Sequence, residues 1–207
     1  ARLRQLFYFA EAGLLAAKVD ITLDESGHSG RRRVMPFEFD LAPGKRARAD
    51  FKPHGVLAVI GPFNFPAHLP NGHIVPALLM GNCVVFKPSD KTPRTGQLLA
   101  ALFRRAFREH GLPLGVVNMV QGRGRNAAAL VAHPSIDGVL FTGSWAVGRR
   151  ILEANLDRPS RIVALEMGGN NPSIVLDDAD IEQAAIEIVR TAFITTGQRC
   201  TCTRRLV

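Results

Sequence analysis

A thiol and a carboxylate, each beside glycines, stand in the last quarter of the sequence. Cys200 ends the run Thr196-Gly197-Gln198-Arg199-Cys200, and Glu166 lies in Leu165-Glu166-Met167-Gly168-Gly169. A thiol acts as a nucleophile when its pKa is lowered or a base lies near it, and a carboxylate can be that base or activate a water. These residues predict a covalent mechanism through a thioester. The alternatives are a buried structural cysteine and a loop acid paired with an arginine.

Asn64 is the third candidate catalytic residue. It lies in Gly61-Pro62-Phe63-Asn64-Phe65-Pro66, between a predicted strand and a predicted helix. An amide at such a junction can donate a hydrogen bond to a developing oxyanion. The alternative is a turn asparagine that bonds its own backbone, and the motif taken alone favours this alternative.

Three further junctions suggest a nucleotide site. Lys87 and Asp90 follow a predicted strand and can hold ribose hydroxyls, although Asp90 or Thr92 can equally cap the next helix. Gly122 opens a weak G-x-G-x-x-A match, which lacks the acidic residue expected about 20 residues later. Gly143-Ser144 precedes a helix, where backbone N–H groups can bind a pyrophosphate; a tight turn that needs Gly143 explains the pair equally well.

The segments around these motifs alternate between short apolar runs and helical patterns. Strands are predicted over residues 34–41, 51–60, 83–87, 116–120, 138–141, 162–165, 173–176 and 204–207. Helices are predicted over residues 1–19, 66–80, 92–110, 125–132, 146–156 and 180–194, with a polar loop over residues 24–30. This alternation predicts an α/β fold with a doubly wound parallel sheet.

Composition narrows the function classes. The 207 residues include 26 Lys and Arg against 18 Asp and Glu, a net charge of +8. The basic clusters, at residues 31–33, 45–48 and 104–105, contain few aromatic side chains, so we expect solvated faces rather than nucleic-acid binding. No apolar run reaches the roughly 18 residues of a membrane span, so we expect no membrane partner.

The three cysteines are too few, and odd in number, for a disulfide framework. They fit a reducing, cytoplasmic setting. Cys200 and Cys202 form a C-x-C pair, but no second Cys or His pair stands at zinc spacing, so we predict no metal site. Packing is the favoured role for Cys83 and Cys202.

Five motifs, PFNFP, KPSD-x-TP, FTGS-xxx-G, LEMGG and GQ-x-C, occur in one chain and in this order. From about Phe51 onward the sequence therefore resembles the aldehyde dehydrogenase superfamily. The resemblance implies a Rossmann-like NAD-binding domain over residues 1–165, incomplete at its N-terminus, and the start of a truncated catalytic domain over residues 166–207. It also implies that Cys200 attacks the aldehyde, Asn64 holds the oxyanion, and Glu166 activates the hydrolytic water.

The resemblance also implies a nicotinamide cofactor. Lys87 and Asp90 would lie at the adenosine ribose and Gly143 with Ser144 near the pyrophosphate, while Gly148 closes the same FTGS-xxx-G motif. Family members usually have Glu where this chain has Asp90. An acid there repels a 2′-phosphate, so NAD is expected rather than NADP.

Within the superfamily, HLPNGHIVP, EMGGNNP and TTGQRCTC resemble the members that oxidise N-succinyl-L-glutamate 5-semialdehyde in arginine catabolism. That substrate carries two carboxylates, and Arg199 or His68 is predicted to contact one of them. The alternatives are another semialdehyde, such as succinate semialdehyde, and a nucleotide-binding module without activity.

Both ends of the sequence look cut, because it opens inside a helical pattern without a capping residue and stops in a strand-like run. We therefore expect a fragment that is inactive by itself. The resemblance implies that the full-length protein is a homo-oligomer.

Overall fold

The computed structural model describes residues 14–25 and 35–207. Its strands are β1 (Phe37–Ala42), β2 (Lys45–Ala49), β3 (Val56–Ile60), β4 (Cys83–Lys87), β5 (Val117–Met119), β6 (Gly138–Gly143), β7 (Ile162–Met167), β8 (Asn171–Ser173) and β9 (Thr203–Leu206). Its helices are α1 (Leu14–Glu25), α2 (His68–Leu79), α3 (Pro93–Glu109), α4 (Gly124–Ala132), α5 (Trp145–Glu153) and α6 (Ile181–Phe193). Two short 3-10 helices cover Leu114–Val116 and Ile194–Gly197.

Five parallel strands form the main sheet, in the order β5-β4-β3-β6-β7. The chain starts at the central β3, winds outward through β4 and β5, then returns to β6 and winds outward on the other side. This confirms the predicted α/β fold with a doubly wound parallel sheet. The direction of winding reverses between β3 and β6, where open α/β sheets bind ligands beyond the carboxyl ends of their strands.

The strands of this sheet are apolar because helices cover both faces. On one face, α2 and α3 pack on a cluster that includes Val59, Ile74, Val84 and Phe86. On the other face, α4 and α5 pack on a cluster built from residues of β3 and β6 with Val131, Ile136 and Ile151. Phe86 is completely buried and belongs to the first cluster.

The predicted strand over residues 51–60 is wrong in its first half, because β3 begins only at Val56. Pro53 has no N–H to offer a sheet, and Gly55 has a φ of 125°, which ends the extended conformation. The helix predicted over residues 146–156 ends at Glu153, since the Asn155 side chain donates to the Ile151 carbonyl and closes the last turn.

A separate antiparallel hairpin joins β1 and β2. The predicted edge strand over residues 34–41 lies here, outside the main sheet, and β2 was not predicted because Lys45-Arg46-Ala47-Arg48-Ala49 has no apolar alternation. Exposed Glu38, Asp40 and Asp50 face the arginines of β2, which explains how so basic a segment pairs.

The remaining predicted helices and strands occur with ends shifted by a few residues. The helix predicted over residues 66–80 starts late, at His68, and contains Pro70 and Pro76. Residues 14–19 of the predicted first helix belong to α1, which packs against α2. Residues 1–13, most of the predicted loop over residues 24–30, and the basic cluster at residues 31–33 lie outside the described residues.

Beyond the main sheet, β8 and β9 form a two-stranded parallel sheet beside α6. Asp180 caps α6 by accepting a hydrogen bond from the Gln183 N–H. The domain boundary predicted at residue 165 passes through β7, which continues to Met167. Among the described helices, none is long and apolar enough to cross a membrane.

Removing the Phe86 side chain tests the packing of the first cluster. We expect Phe86→Ala to lower the free energy of unfolding by about 3–5 kcal/mol, because a fully buried phenyl ring is lost and a cavity remains. Urea unfolding followed by circular dichroism measures this change. Leu98→Ala on α3, where the side chain is 53% exposed, is the matched control and should change stability by less than about 0.5 kcal/mol. Equal effects of the two variants would contradict the core described here.

Candidate functional site

The predicted site residues collect at the carboxyl ends of the main strands. Asn64 lies four residues beyond the end of β3, and Lys87 ends β4. Ser144 follows β6, and Glu166 is the last residue but one of β7. The parallel topology therefore brings these four residues to one edge of the sheet, on either side of the reversal between β3 and β6.

Asn64 connects this edge to the segment that carries the thiol. Its Nδ2 donates a hydrogen bond to the Gln198 carbonyl, at 2.7 Å and across 134 residues of sequence. The alternative of a turn asparagine bonded to its own backbone is therefore not what this amide does. A side-chain amide has two N–H donors, so a second one remains for an oxyanion near Cys200.

The loop around Cys200 is held from the other side by Asn171. The Asn171 Nδ2 donates to the Cys200 carbonyl at 2.7 Å and to the Cys202 carbonyl at 3.0 Å. Cys202 is completely buried, which confirms its predicted packing role, whereas the Cys200 side chain is exposed. An exposed thiol on a backbone fixed at both flanks is suited to attack a substrate.

The approach to this loop contains unusual backbone conformations. Thr195 and Thr196 have φ values of 55° and 56°, and Gly197 follows at 69°. The left-handed region is unfavourable for β-branched residues, so this turn stores strain next to the thiol.

Glu166 shares a face of the sheet with Thr142, its register partner on β6. The Thr142 hydroxyl is 3.0 Å from His73 Nε2, which reaches over from α2. Burial lowers the pKa of His73, the Glu166 carboxylate opposes that shift, and the positive charge of Lys18 adds to it. The three side chains Glu166, Thr142 and His73 therefore form one polar row beneath α2.

Arg199 and His68, the predicted substrate contacts, both lie next to the Phe65 ring. The Arg199 guanidinium carbon is 5.4 Å from the centre of the Phe65 ring, and the His68 ring is 6.1 Å from the same centre. Burial, and secondarily the charge of Lys18, lower the pKa of His68. At neutral pH the His68 imidazole is therefore uncharged, and the positive charge at this position belongs to Arg199.

Lys87, the last residue of β4, is close enough to Asp90 for their charges to interact. The Lys87 side chain is buried, and this burial lowers its pKa, while the Asp90 carboxylate acts in the opposite direction. Thr92 occupies the N-cap position of α3 without a side-chain cap bond, so the capping alternative fails for Thr92. A buried amine beside an exposed acid is a suitable pair of partners for sugar hydroxyls.

Each glycine of the predicted nucleotide loops is required at its position for a different structural reason. Gly148 is buried, and a Cβ there would come within 2.5 Å of Met167 Sδ, so it lets α5 pack closely on β7. Gly122 has a φ of 141°, which excludes most other residues. Gly143 and Ser144 lead into α5, whose first turn has no side-chain cap. Its N–H groups and the Lys87 amine fit the phosphates and ribose of a dinucleotide.

Three contributing residues were not found from the sequence. Asn171 was taken only as part of a motif, Thr142 only as part of a turn, and Lys18 not at all. A polar residue inside a strand or at a helix interior gives no local signal of a partner that is distant in the sequence. Within residues 14–25 and 35–207, no group of three or more potential metal ligands is found.

Comparisons with known proteins agree with one another. The profile of the aldehyde dehydrogenase family matches residues 10–207. Three curated relatives, 52–60% identical, are named N-succinylglutamate 5-semialdehyde dehydrogenases. The one from Caulobacter vibrioides is 54% identical over 197 residues, which is 95% of this chain and 40% of that protein. The chain thus spans about two fifths of the length of the curated relatives it matches.

Solved structures give the same fold. An aldehyde dehydrogenase from Bacillus cereus, in complex with NAD⁺, superposes with a TM-score of 0.76 at 34% identity, covering 84% of this chain and 35% of that one. The glyceraldehyde-3-phosphate dehydrogenase of Methanocaldococcus jannaschii, complexed with NADP, superposes with a TM-score of 0.70 at 35% identity. The match covers 75% of this chain and 34% of that one. The structural relatives therefore include both NAD⁺ and NADP complexes.

Asn171 provides a test of how the cysteine loop is held. We expect Asn171→Ala to speed hydrogen exchange of residues 197–202, because two carbonyl groups lose their donor. Hydrogen–deuterium exchange with mass spectrometry measures the change. Asn170→Ala is the control, since only the backbone carbonyl of Asn170 is used, by Arg205 Nε. Unchanged exchange in Asn171→Ala would show that the loop is fixed by other contacts.

His73 predicts a pH dependence of stability. Its pKa in the folded chain lies below the ordinary value of 6.5, so the unfolded chain binds the proton more readily. Stability is therefore fully present above pH 6.5 and is lost as the pH falls through the lowered pKa. We expect His73→Gln to weaken this dependence in urea unfolding between pH 8 and pH 5. The exposed His110→Gln is the control, and an equally steep dependence in both variants would contradict the assignment.

Proposed function

Because the chain belongs to the aldehyde dehydrogenase family, we propose that the complete polypeptide carrying it oxidises an aldehyde to a carboxylic acid, with a nicotinamide cofactor and a covalent Cys200 intermediate. The observation that supports this most directly is the hydrogen bond from Asn64 Nδ2 to the Gln198 carbonyl. This bond supports the proposal because it holds the Asn64 amide against the segment that ends at the exposed thiol, although the two motifs lie far apart in sequence.

The first step proposed for these residues is the addition of the Cys200 thiolate to the aldehyde. The Cys200 thiolate attacks the aldehyde carbon and forms a C–S bond, while the carbonyl oxygen becomes an oxyanion. The Asn64 amide and the Cys200 backbone N–H donate to that oxygen and stabilise the thiohemiacetal. Asn171 holds the Cys200 and Cys202 carbonyl groups, which limits the motion of the backbone that carries the thiol.

The residues at the edge of the sheet fit the cofactor. When bound, the nicotinamide accepts the hydride that leaves the thiohemiacetal carbon. Lys87 and Asp90 are proposed to hold the adenosine ribose, and Gly143, Ser144 and the first turn of α5 the pyrophosphate. We propose NAD rather than NADP, because the Asp90 carboxylate repels a 2′-phosphate.

Two glycines have supporting roles in the proposed cofactor site. Gly148 allows α5 to pack close to β7, which fixes the direction of the helix N-terminus. Gly122 shapes the turn after β5, at the same edge of the sheet. Both are therefore proposed to act through the backbone rather than by touching the nucleotide with a side chain.

Loss of the hydride leaves a thioester on Cys200, and Glu166 is proposed to hydrolyse it. As a general base, the carboxylate takes a proton from water, whose oxygen attacks the thioester carbon and displaces the Cys200 thiolate. Glu166 is exposed at the end of β7, with access to solvent water. Its position on the same sheet edge as Asn64 makes one site of the two halves of the reaction.

For the substrate, we propose N-succinyl-L-glutamate 5-semialdehyde, the aldehyde named for three relatives at 52–60% identity. Arg199, next to the nucleophile and stacked on Phe65, is proposed to bind a carboxylate, with His68 as a neutral hydrogen-bonding neighbour. We also propose that residues 1–165 belong to the cofactor domain and residues 166–207 to the catalytic domain.

The test follows NADH formation by the complete polypeptide with N-succinylglutamate semialdehyde, succinate semialdehyde and a neutral aldehyde. We expect the first to be preferred, and Cys200→Ala to abolish the reaction. Cys83→Ala is the matched control, because Cys83 begins β4 at the opposite edge of the sheet. A preference for succinate semialdehyde would retain the chemistry and change the substrate.

Glu166→Gln separates the two half-reactions. We expect it to retain a burst of one NADH per site and to slow the steady state by about 100- to 10,000-fold, because the thioester forms but is not hydrolysed. Stopped-flow absorbance at the NADH band measures both phases. If the burst and the steady state fell together, Glu166 would not be the hydrolytic base.

A further inference from the structure

Lys18, on α1, lies against the helix that contains both site histidines. A Cβ built at Gly72 would come within 2.5 Å of Lys18 Nζ and 2.7 Å of its Cε, so the ammonium group rests directly on the α2 backbone. Gly72 stands four residues after His68 and immediately before His73. The lysine side chain can therefore occupy this position only because residue 72 has no side chain.

The charge of Lys18 is not neutralised by these neighbours. Burial and the lysine together lower the pKa of His68, and the lysine also lowers that of His73, so both imidazoles are uncharged at neutral pH. Within the described ranges, Lys18 forms no ion pair with a carboxylate. A partly buried ammonium without a counterion is unfavourable, and an anionic ligand would relieve the cost.

Arg199 is a second cation without a carboxylate partner among the described residues. Its guanidinium stacks on Phe65, its Nε is buried without a hydrogen-bond partner, and it too has no ion pair among the described residues. Contacts connect Arg199 to Phe65 and Phe65 to His68, and Lys18 rests at Gly72, about one helical turn after His68 on α2. The two cations therefore lie at the two ends of one chain of neighbouring side chains.

We propose that Lys18 and Arg199 are specificity-determining residues that bind two separate carboxylates of a dicarboxylic semialdehyde. Arg199, adjacent to Cys200, binds the carboxylate nearer to the aldehyde, and Lys18 binds the distal one. This inference rests on the proposed aldehyde oxidation and adds to it the recognition of a second, remote negative charge. Charge-assisted hydrogen bonds of this kind are strong enough to select a diacid over a monoacid.

The test compares kcat/KM of the complete polypeptide for N-succinylglutamate semialdehyde, succinate semialdehyde and a neutral aldehyde. In Lys18→Met, which keeps an unbranched apolar stem, we expect the diacid-to-monoacid ratio to fall about 10- to 100-fold, mainly through KM. Lys18→Arg should recover most of the ratio. Lys45→Met, on the exposed hairpin, is the matched control and should leave the ratio unchanged.

Gly72→Ala tests the same contact without touching the lysine. Alanine is a better helix former than glycine, so the melting temperature should not fall, but its Cβ displaces the ammonium group. We expect the diacid-to-monoacid ratio to fall here too. If the melting temperature is unchanged while the diacid-to-monoacid ratio falls, the loss of selectivity is not caused by unfolding.

The outcomes separate the inference from the function on which it rests. No NADH formation with any aldehyde, together with no labelling of Cys200, would remove the proposed function. Oxidation of the diacid with a ratio unchanged in Lys18→Met, or an equal loss for all three substrates, would overturn the inference and leave the proposed function standing.

Discussion

The hydrogen bond from the Asn64 amide to the Gln198 carbonyl connects the edge of the main sheet to the loop that carries the thiol. The two residues belong to motifs that are 134 residues apart in the sequence. Asn171 holds the same loop through the Cys200 and Cys202 carbonyl groups. With these amides in place, the strained turn at Thr195 and Thr196 can direct the thiol outward while Cys202 stays buried.

The sheet provides the fixed frame for that connection. Helices on both faces bury β3, β4 and β6, and the reversal of winding between β3 and β6 leaves the carboxyl ends of the strands accessible at one edge. Glu166, Lys87 and Ser144 reach this edge on separate strands or just beyond them. Their relative positions follow from strand register, which is rigid, rather than from loops, which are not.

Two parts of the molecule differ in whether their cationic side chains have carboxylate partners. In the β1–β2 hairpin, exposed arginines face Glu38, Asp40 and Asp50, and the charges of both signs are balanced. Around α2, by contrast, Lys18 and Arg199 have no carboxylate partner among the described residues, and the intervening histidines are uncharged. These cations without carboxylate partners differ from those of the hairpin, whose charges are balanced by neighbouring acids.

Local signals in the sequence were enough for most of the fold. The apolar runs at residues 83–87 and 138–141, with helices between them, indicated a parallel sheet because a strand buried on both faces needs apolar side chains throughout. The same reasoning failed for β2, whose stability depends on charges of the partner strand. It also failed at residues 51–55, where Pro53 and the positive φ of Gly55 prevent the strand that was predicted to begin at Phe51.

The sequence by itself determined the reactive types: a thiol after Gly-Gln, a carboxylate before Gly-Gly, and an amide and an amine after buried strands. These depend on covalent identity and on neighbours a few residues away, which a linear pattern records. Only the tertiary structure decided that Asn64 bonds Gln198, that Asn171 fixes the cysteine loop, that His68 is uncharged, and that Lys18 rests on Gly72. Each of these depends on burial or on contacts between segments far apart in the chain, and no local pattern encodes such distances.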